Sequence, residues 1–106
     1  MSWKRTSTPV HTFGIPYDYS STIEAFTITY SQEGKNILSF SEDDVGTSVK
    51  IEGKTMVVSL SQEDTAKFSP GTATIEIKLW TKDKKSIISD EICTYVKQVK
   101  NERIFS

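Results

Sequence analysis

The chain has one histidine, His11, and one cysteine, Cys93. A nucleophile–base–acid set would have to use His11, and a thiol–imidazole pair would have to join it to Cys93. With fourteen serines present, a hydroxyl is always at hand, so a Ser near His11 carries no information. His11 alternates with core-facing positions of a short early strand, which favours a structural or surface role over catalysis. Cys93 can meet it only if the first and last strands adjoin. A lone cysteine in a β-rich chain is expected to be a small buried hydrophobe. We therefore expect no catalytic residues and no enzyme.

Other charged clusters fare no better. Glu42, Asp43 and Asp44 are consecutive, so their carboxylates diverge, whereas a Ca²⁺ site needs six to eight oxygens held in a fixed geometry. The expected state is a solvated loop, with no metal and no cofactor. Lys82, Lys84 and Lys85 form a basic hairpin tip, but Asp83 sits among them and no Arg joins them. A nucleic-acid patch would add Arg or aromatic stacking groups. Thirteen basic residues against fourteen acidic ones leave a net charge of −1, which gives no global field for nucleic acid or an anionic membrane. No segment approaches the roughly 20 apolar residues of a membrane span. The start Met1-Ser2-Trp3-Lys4-Arg5 is followed by no apolar run, so no signal peptide is expected. The lone cysteine excludes an internal disulfide and fits synthesis in a reducing cytoplasm.

The aromatics are the more informative residues. On the strand that buries Ile75, Ile77 and Leu79, alternation sends Trp80 to the opposite face. An outward Trp there either marks a contact surface or closes the end of the domain. Trp3 in a polar N-terminal arm raises the same question, because a free arm has no use for an indole. Tyr17, Tyr19 and Tyr95 complete the candidate interaction set.

The elements that must position these groups are strands. The chain holds 11 Ile and 7 Val against 3 Leu and 3 Ala, and Ser and Thr add 27 more residues. Sheets favour Val, Ile and Thr, whereas helices favour Ala and Leu, so a helix bundle is excluded. At 106 residues there is room for one domain. Strands are expected over 9–13, 23–31, 36–41, 48–52, 55–61, 72–81 and 86–99, the last with a β-bulge near Ser89-Asp90. Gly34 supplies the positive φ of the first hairpin turn. Ser61 with Asp64 is a variant capping box, which predicts one helical turn over 62–67 ahead of the sixth strand. Residues 1–8 are expected to be a flexible arm, 9–99 the domain, and 100–106 a frayed tail. The fold class is all-β, a seven-stranded antiparallel two-sheet sandwich, with a small open barrel as the other solution.

Two resemblances refine this. Leu60-Ser61-Gln62-Glu63-Asp64-Thr65-Ala66-Lys67-Phe68 resembles the corner of an antibody variable domain, where a Glu-Asp-Thr-Ala run precedes a Tyr. The paired cysteines and core Trp of antibodies are missing, so the resemblance supports an immunoglobulin-like layout and no kinship. The order of Thr8-Pro9-Val10-His11-Thr12-Phe13, then Phe26-Thr27-Ile28-Thr29-Tyr30-Ser31-Gln32, then residues 60–68 with Gly71, then Ile75-Glu76-Ile77-Lys78, covers about residues 8–90. It is similar to small β-sandwich proteins encoded among the virion structural genes of phages and prophages of Gram-positive bacteria. Asp83-Lys84 departs from the Asp-Gly expected at that hairpin tip. The resemblance implies a non-enzymatic assembly or accessory protein of tail, baseplate or head, assembled in the host cytoplasm and carried in the virion. Its partners would be proteins or further copies of itself, through edge-strand pairing or arm exchange. The alternative is a carbohydrate or host-surface binding module, if Tyr17, Tyr19, Trp80 and Tyr95 cluster.

Overall fold

The computed structural model describes residues 2–105; Met1 and Ser106 lie outside the described residues. Two sheets carry the fold. The larger contains β1 (Ser2–Lys4), β3 (Ile23–Gln32), β4 (Lys35–Ser41), β7 (Gly71–Thr81), β8 (Ser86–Ile88) and β9 (Ile92–Lys97). Its order is β1-β9-β7-β3-β4, with β8 paired to β7 beyond the end of β9. The smaller sheet is β2 (Val10–Gly14), β6 (Thr55–Ser59) and β5 (Val49–Glu52), in that order.

Period-two alternation explains which residues lie between the sheets. From the larger sheet come Phe26, Ile28 and Tyr30 of β3 and Ala73, Ile75, Ile77 and Leu79 of β7. They meet His11 and Phe13 of β2, Met56 and Val58 of β6, and Val49 of β5, with Leu60 and Phe68 closing one end. The β3–β4 hairpin turns on Glu33 (φ 51) and Gly34 (φ 76), the pair of positive values that a tight two-residue turn requires.

Nine strands are present among the described residues, not seven, and one pair is parallel. The first addition lies in the expected arm: residues 2–4 pair with β9 as Ser2↔Tyr95, Trp3↔Val96 and Lys4↔Lys97. Burial of the Trp3 ring holds them there. The second addition comes from the expected 86–99 strand, which divides into β8 and β9. Residues 76 and 77 of β7 face residues 89–91, one residue more than the ladder accommodates. The bulge anticipated at Ser89-Asp90 is thus wide enough to break the strand, and Ser89 Oγ accepts from the Ile77 N–H (2.9 Å) in place of a ladder carbonyl.

Helical structure is also more than one turn. α1 (Tyr19–Thr22) starts at Asp18, whose carboxylate accepts from the Ser21 N–H, within a stretch expected to be a plain connection. α2 (Gln62–Ala66) begins with a reciprocal capping box: Ser61 Oγ accepts from Asp64 N (3.0 Å) and Asp64 Oδ2 accepts from Ser61 N (3.1 Å). A 3-10 turn at Glu42–Asp44 repeats the device with Ser41 and Asp44. Residues 98–105 form no regular element, yet they are tied down. Gln62 makes two hydrogen bonds to the Phe105 backbone, and Glu102 pairs with Arg5.

Candidate functional site

Two groups of residues stand out, one buried between the sheets and one on the outward face of the larger sheet. The buried group centres on His11, which is 4% exposed. Its Nδ1 lies 2.6 Å from the Tyr30 hydroxyl, and the two rings stack across the sheet interface at 5.7 Å and 22°. Trp3, 5% exposed, stands edge-on to His11 at 5.9 Å and to Phe68 at 4.8 Å. Trp3 Nε1 and His11 Nε2 are buried and have no hydrogen-bond partner among the described residues. Desolvation lowers the His11 pKa from its ordinary 6.5 and raises that of Tyr30 well above 10, so both groups are held neutral.

Arg5 fixes the end of β1 against this cluster. Its Nε donates to the Phe68 carbonyl (2.6 Å) and its Nη2 to the Ala66 carbonyl (3.0 Å). These are carbonyls at the C-terminal end of α2, where a cation is favoured. A third nitrogen, Nη1, pairs with Glu102. The Thr65 hydroxyl donates to the Ser7 carbonyl (2.9 Å).

Among the described residues no Ser, Asp, Glu or Cys side chain is hydrogen-bonded to His11, whose one partner is Tyr30. Cys93 is exposed and faces outward on β9, in the other sheet from β2, which corrects the expectation of a buried thiol. The extra residue at 89–91 is the cause: inward positions are odd-numbered at Ile87 and even-numbered at Thr94 and Val96. The acidic loop is not simply solvated either. Glu42 Oε2 accepts from Phe26 N (3.2 Å) and Asp44 caps the 3-10 turn, so two of its carboxylates serve backbone groups. Among the described residues no three His, Cys, Asp or Glu side chains converge to hold a metal. At the Lys82–Lys85 tip, Lys84 takes φ 69, the conformation the missing glycine would supply. A hydrogen bond from the Thr81 hydroxyl lowers the Asp83 pKa, and hydrogen bonds from Ser20 and Ser21 lower that of Asp18.

The outward face of the larger sheet is polar along most of its length, with Thr27, Thr29 and Ser31 on β3 and Thr72, Thr74 and Glu76 on β7. A shallow concavity of about 720 Å³ lies over part of it. At one end it becomes apolar. Trp80 is half-buried, Lys78 Nζ lies 4.9 Å from its ring centroid, and Ile88, opposite Lys78 on β8, is 54% exposed. Ile88 was not singled out in the sequence; its outward direction depends on pairing with β7. Tyr95, 51% exposed, shares this face but sits opposite Thr72. The eight residues from Thr72 to Trp80 place it ~26 Å away at ~3.3 Å per residue.

The other candidates lie elsewhere. Tyr17 is 44% exposed and borders a groove with Thr81, Lys82 and Ile87, away from the Trp80 face. Tyr19 packs edge-on to core Phe26 at 6.0 Å, and Trp3 is internal. The structure therefore brings together Trp80, Lys78 and Ile88, and does not gather Tyr17, Tyr19, Trp80 and Tyr95 into one aromatic site. Among the described residues no helix is long and apolar enough to cross a membrane.

No protein-family model and no curated protein matches the sequence. Among solved structures, the chain is similar to the V domain of amphioxus IgVJ-C2, at 15% identity and TM-score 0.36, covering 92% of this chain and 99% of that one. It is also similar to extracellular domains 3–5 of Drosophila OTK (11% identity, TM-score 0.40), covering 95% of this chain and 32% of that one. For the amphioxus IgVJ-C2 molecule, the values are 14% identity and TM-score 0.36, covering 91% of this chain and 54% of that one.

Proposed function

We propose that this chain is a non-enzymatic, contact-forming component of a phage or prophage particle, built as a variable-type immunoglobulin-like sandwich. The strand order supports the architecture. β2, β6 and β5 form one sheet, while β9, β7, β3 and the hairpin strand β4 form the other, with α2 linking β6 to β7. That is the order in which a variable-type sandwich extends its second sheet by a hairpin strand. The particle context rests on the ordered motifs between residues 8 and 90. On this reading the chain is in the host cytoplasm during assembly and then in the virion.

The observation that carries a contact role is the Trp80–Lys78–Ile88 patch. Aromatic residues are enriched and acidic ones depleted at interface centres, and this patch sets an indole beside an exposed isoleucine on an otherwise Thr- and Ser-rich face. Particles purified on a density gradient from the producing strain, probed with antibody to this chain, test the reading. The wild-type chain co-sediments with particles. A Trp80→Ser/Ile88→Ser double variant of unchanged thermal midpoint does not. Absence of the wild-type chain from particles overturns the particle assignment, and undiminished incorporation of the variant overturns the role of the patch.

A further inference from the structure

Residues 2–5 dock as a unit, and the connection that follows them is strained. The docking contacts are the β1–β9 ladder, the Trp3 ring against His11 and Phe68, the Arg5 N–H to the Lys97 carbonyl (3.2 Å), and the Arg5 side chain on α2 and Glu102. Every one of these partners lies beyond residue 10. The turn that folds the segment back onto its own chain runs from Lys4 to Ser7, closed by a 3.4 Å hydrogen bond, and places Thr6 at φ 59. A β-branched residue in the left-handed region is a true backbone outlier. Pro9 follows, and a residue before proline is biased toward extended backbone, so Thr8 favours an open connection. The Trp3 ring is held by packing, its Nε1 having no hydrogen-bond partner among the described residues.

We infer that two copies of this chain exchange β1, the Trp3 of each filling the slot beside His11 and Phe68 of the other. Reciprocal exchange keeps every contact of residues 2–5 with partners beyond residue 10, because each is remade with the same partner residue in the second copy; what it gives up is the bonding of the Lys4 carbonyl by the Ser7 N–H and hydroxyl. It releases the Thr6 turn, which no longer needs to close. The opposing term is the loss of translational freedom on association, so exchange is concentration-dependent. A three-residue edge strand can open without unfolding the remaining sheet, which gives the reaction a local route. The inference deepens the contact-forming reading by naming a second copy as partner, and it leaves the Trp80–Ile88 face uninvolved.

The test replaces Lys4 and Lys97, exposed neighbours in the β1–β9 register, with cysteines in a Cys93→Ser background. Adjacent strands place such a pair within disulfide range. The protein is incubated over about a hundredfold concentration range, oxidised, and run on a denaturing non-reducing gel. Exchange yields a covalent dimer whose share rises with concentration, and Thr6→Pro, which cannot adopt φ 59, makes the dimer dominant. Thr6→Gly, which accepts that φ freely, lowers dimer affinity by about tenfold. Disulfide-closed monomer alone at every concentration, including in the Thr6→Pro variant, overturns the inference. Two unreacted thiols also overturn it, since β1 is then undocked. Neither result bears on the Trp80→Ser/Ile88→Ser experiment, so the two readings fail separately.

Discussion

Acidification from about pH 7.5 to about pH 5.5 should destabilise this domain through His11 alone. The imidazole is buried between the sheets, with Trp3, Phe13 and Tyr30 as its ring neighbours and no carboxylate among them. Tyr30 can turn its hydroxyl to accept from a protonated Nδ1, but the charged ring would still hold an unpartnered Nε2–H. Trp3 Nε1, likewise buried without a partner among the described residues, is a donor and cannot help. Burial lowers the folded-state pKa below the 6.5 of the open chain. Between those two values the unfolded chain binds a proton that the folded chain refuses, so ΔG of unfolding is fully present above pH 6.5 and falls as the pH drops through the window. The slope cannot exceed ~1.4 kcal/mol per pH unit for one group. Because the chain has a single histidine and model carboxylates titrate near pH 4, this window belongs to His11. Urea unfolding monitored by Trp fluorescence at closely spaced pH values gives the curve for the wild type and for His11→Gln. The wild type should lose stability as the pH falls through this window, with a slope below that ceiling, and the variant should be flat. Matching slopes for the two proteins, or a wild type that gains stability on acidification, refutes the reasoning.

Other substitutions probe the supports of the fold. Lys84→Gly should raise stability by about 0.5–1 kcal/mol in urea titration, because glycine takes φ 69 without a Cβ penalty and the exposed Lys84–Glu24 pair contributes little. Arg5→Ala should lower it by about 1–3 kcal/mol through the Phe68 and Ala66 carbonyl bonds, with hydrogen exchange accelerated first in β1. Ser61→Ala should cost about 1 kcal/mol by opening the capping box of α2, while Ser61→Asp should restore most of the loss. Phe26→Ala, deleting a fully buried ring, should cost about 3–5 kcal/mol and lower the thermal midpoint accordingly.

The parts of this fold that can be read from the sequence are those fixed by neighbours along the chain. The run Ala73, Ile75, Ile77, Leu79 displays its buried face directly, because a strand repeats every two residues and one side of β7 is covered. Ser61 and Asp64 announce their helical turn because both partners lie within it. What stays hidden depends on distant pairing. Three residues are too few to show a period, so β1 looks like an arm; only pairing with β9, some ninety residues further along the chain, makes it a strand and sets Trp3 against His11 and Phe68. The same holds for Arg5, whose carbonyl acceptors at Ala66 and Phe68 belong to an element with no sequence link to it.

Cys93 shows how a locally visible signal can still mislead. The slip near Ser89-Asp90 is legible, but its effect on parity is decided by β7, which leaves residues 76 and 77 facing 89–91. Carried through in unbroken alternation, with no bulge, the inward set that includes Ile87 would continue to 89, 91 and 93 and bury the thiol. With it, the inward set becomes Thr94 and Val96, and Cys93 and Tyr95 turn outward onto the face that bears Trp80. One residue therefore moves an entire strand's side chains between core and surface. The composition of the outward face is set by that register as much as by the residues themselves: deleting Asp90 leaves two residues facing 76 and 77, so β8 and β9 should join in one regular strand with Thr94 still inward and Cys93 still outward. Thiol labelling as fast in the deletion variant as in the wild type would show it, and a rate that falls sharply would place the control of parity elsewhere in the β7–β9 pairing.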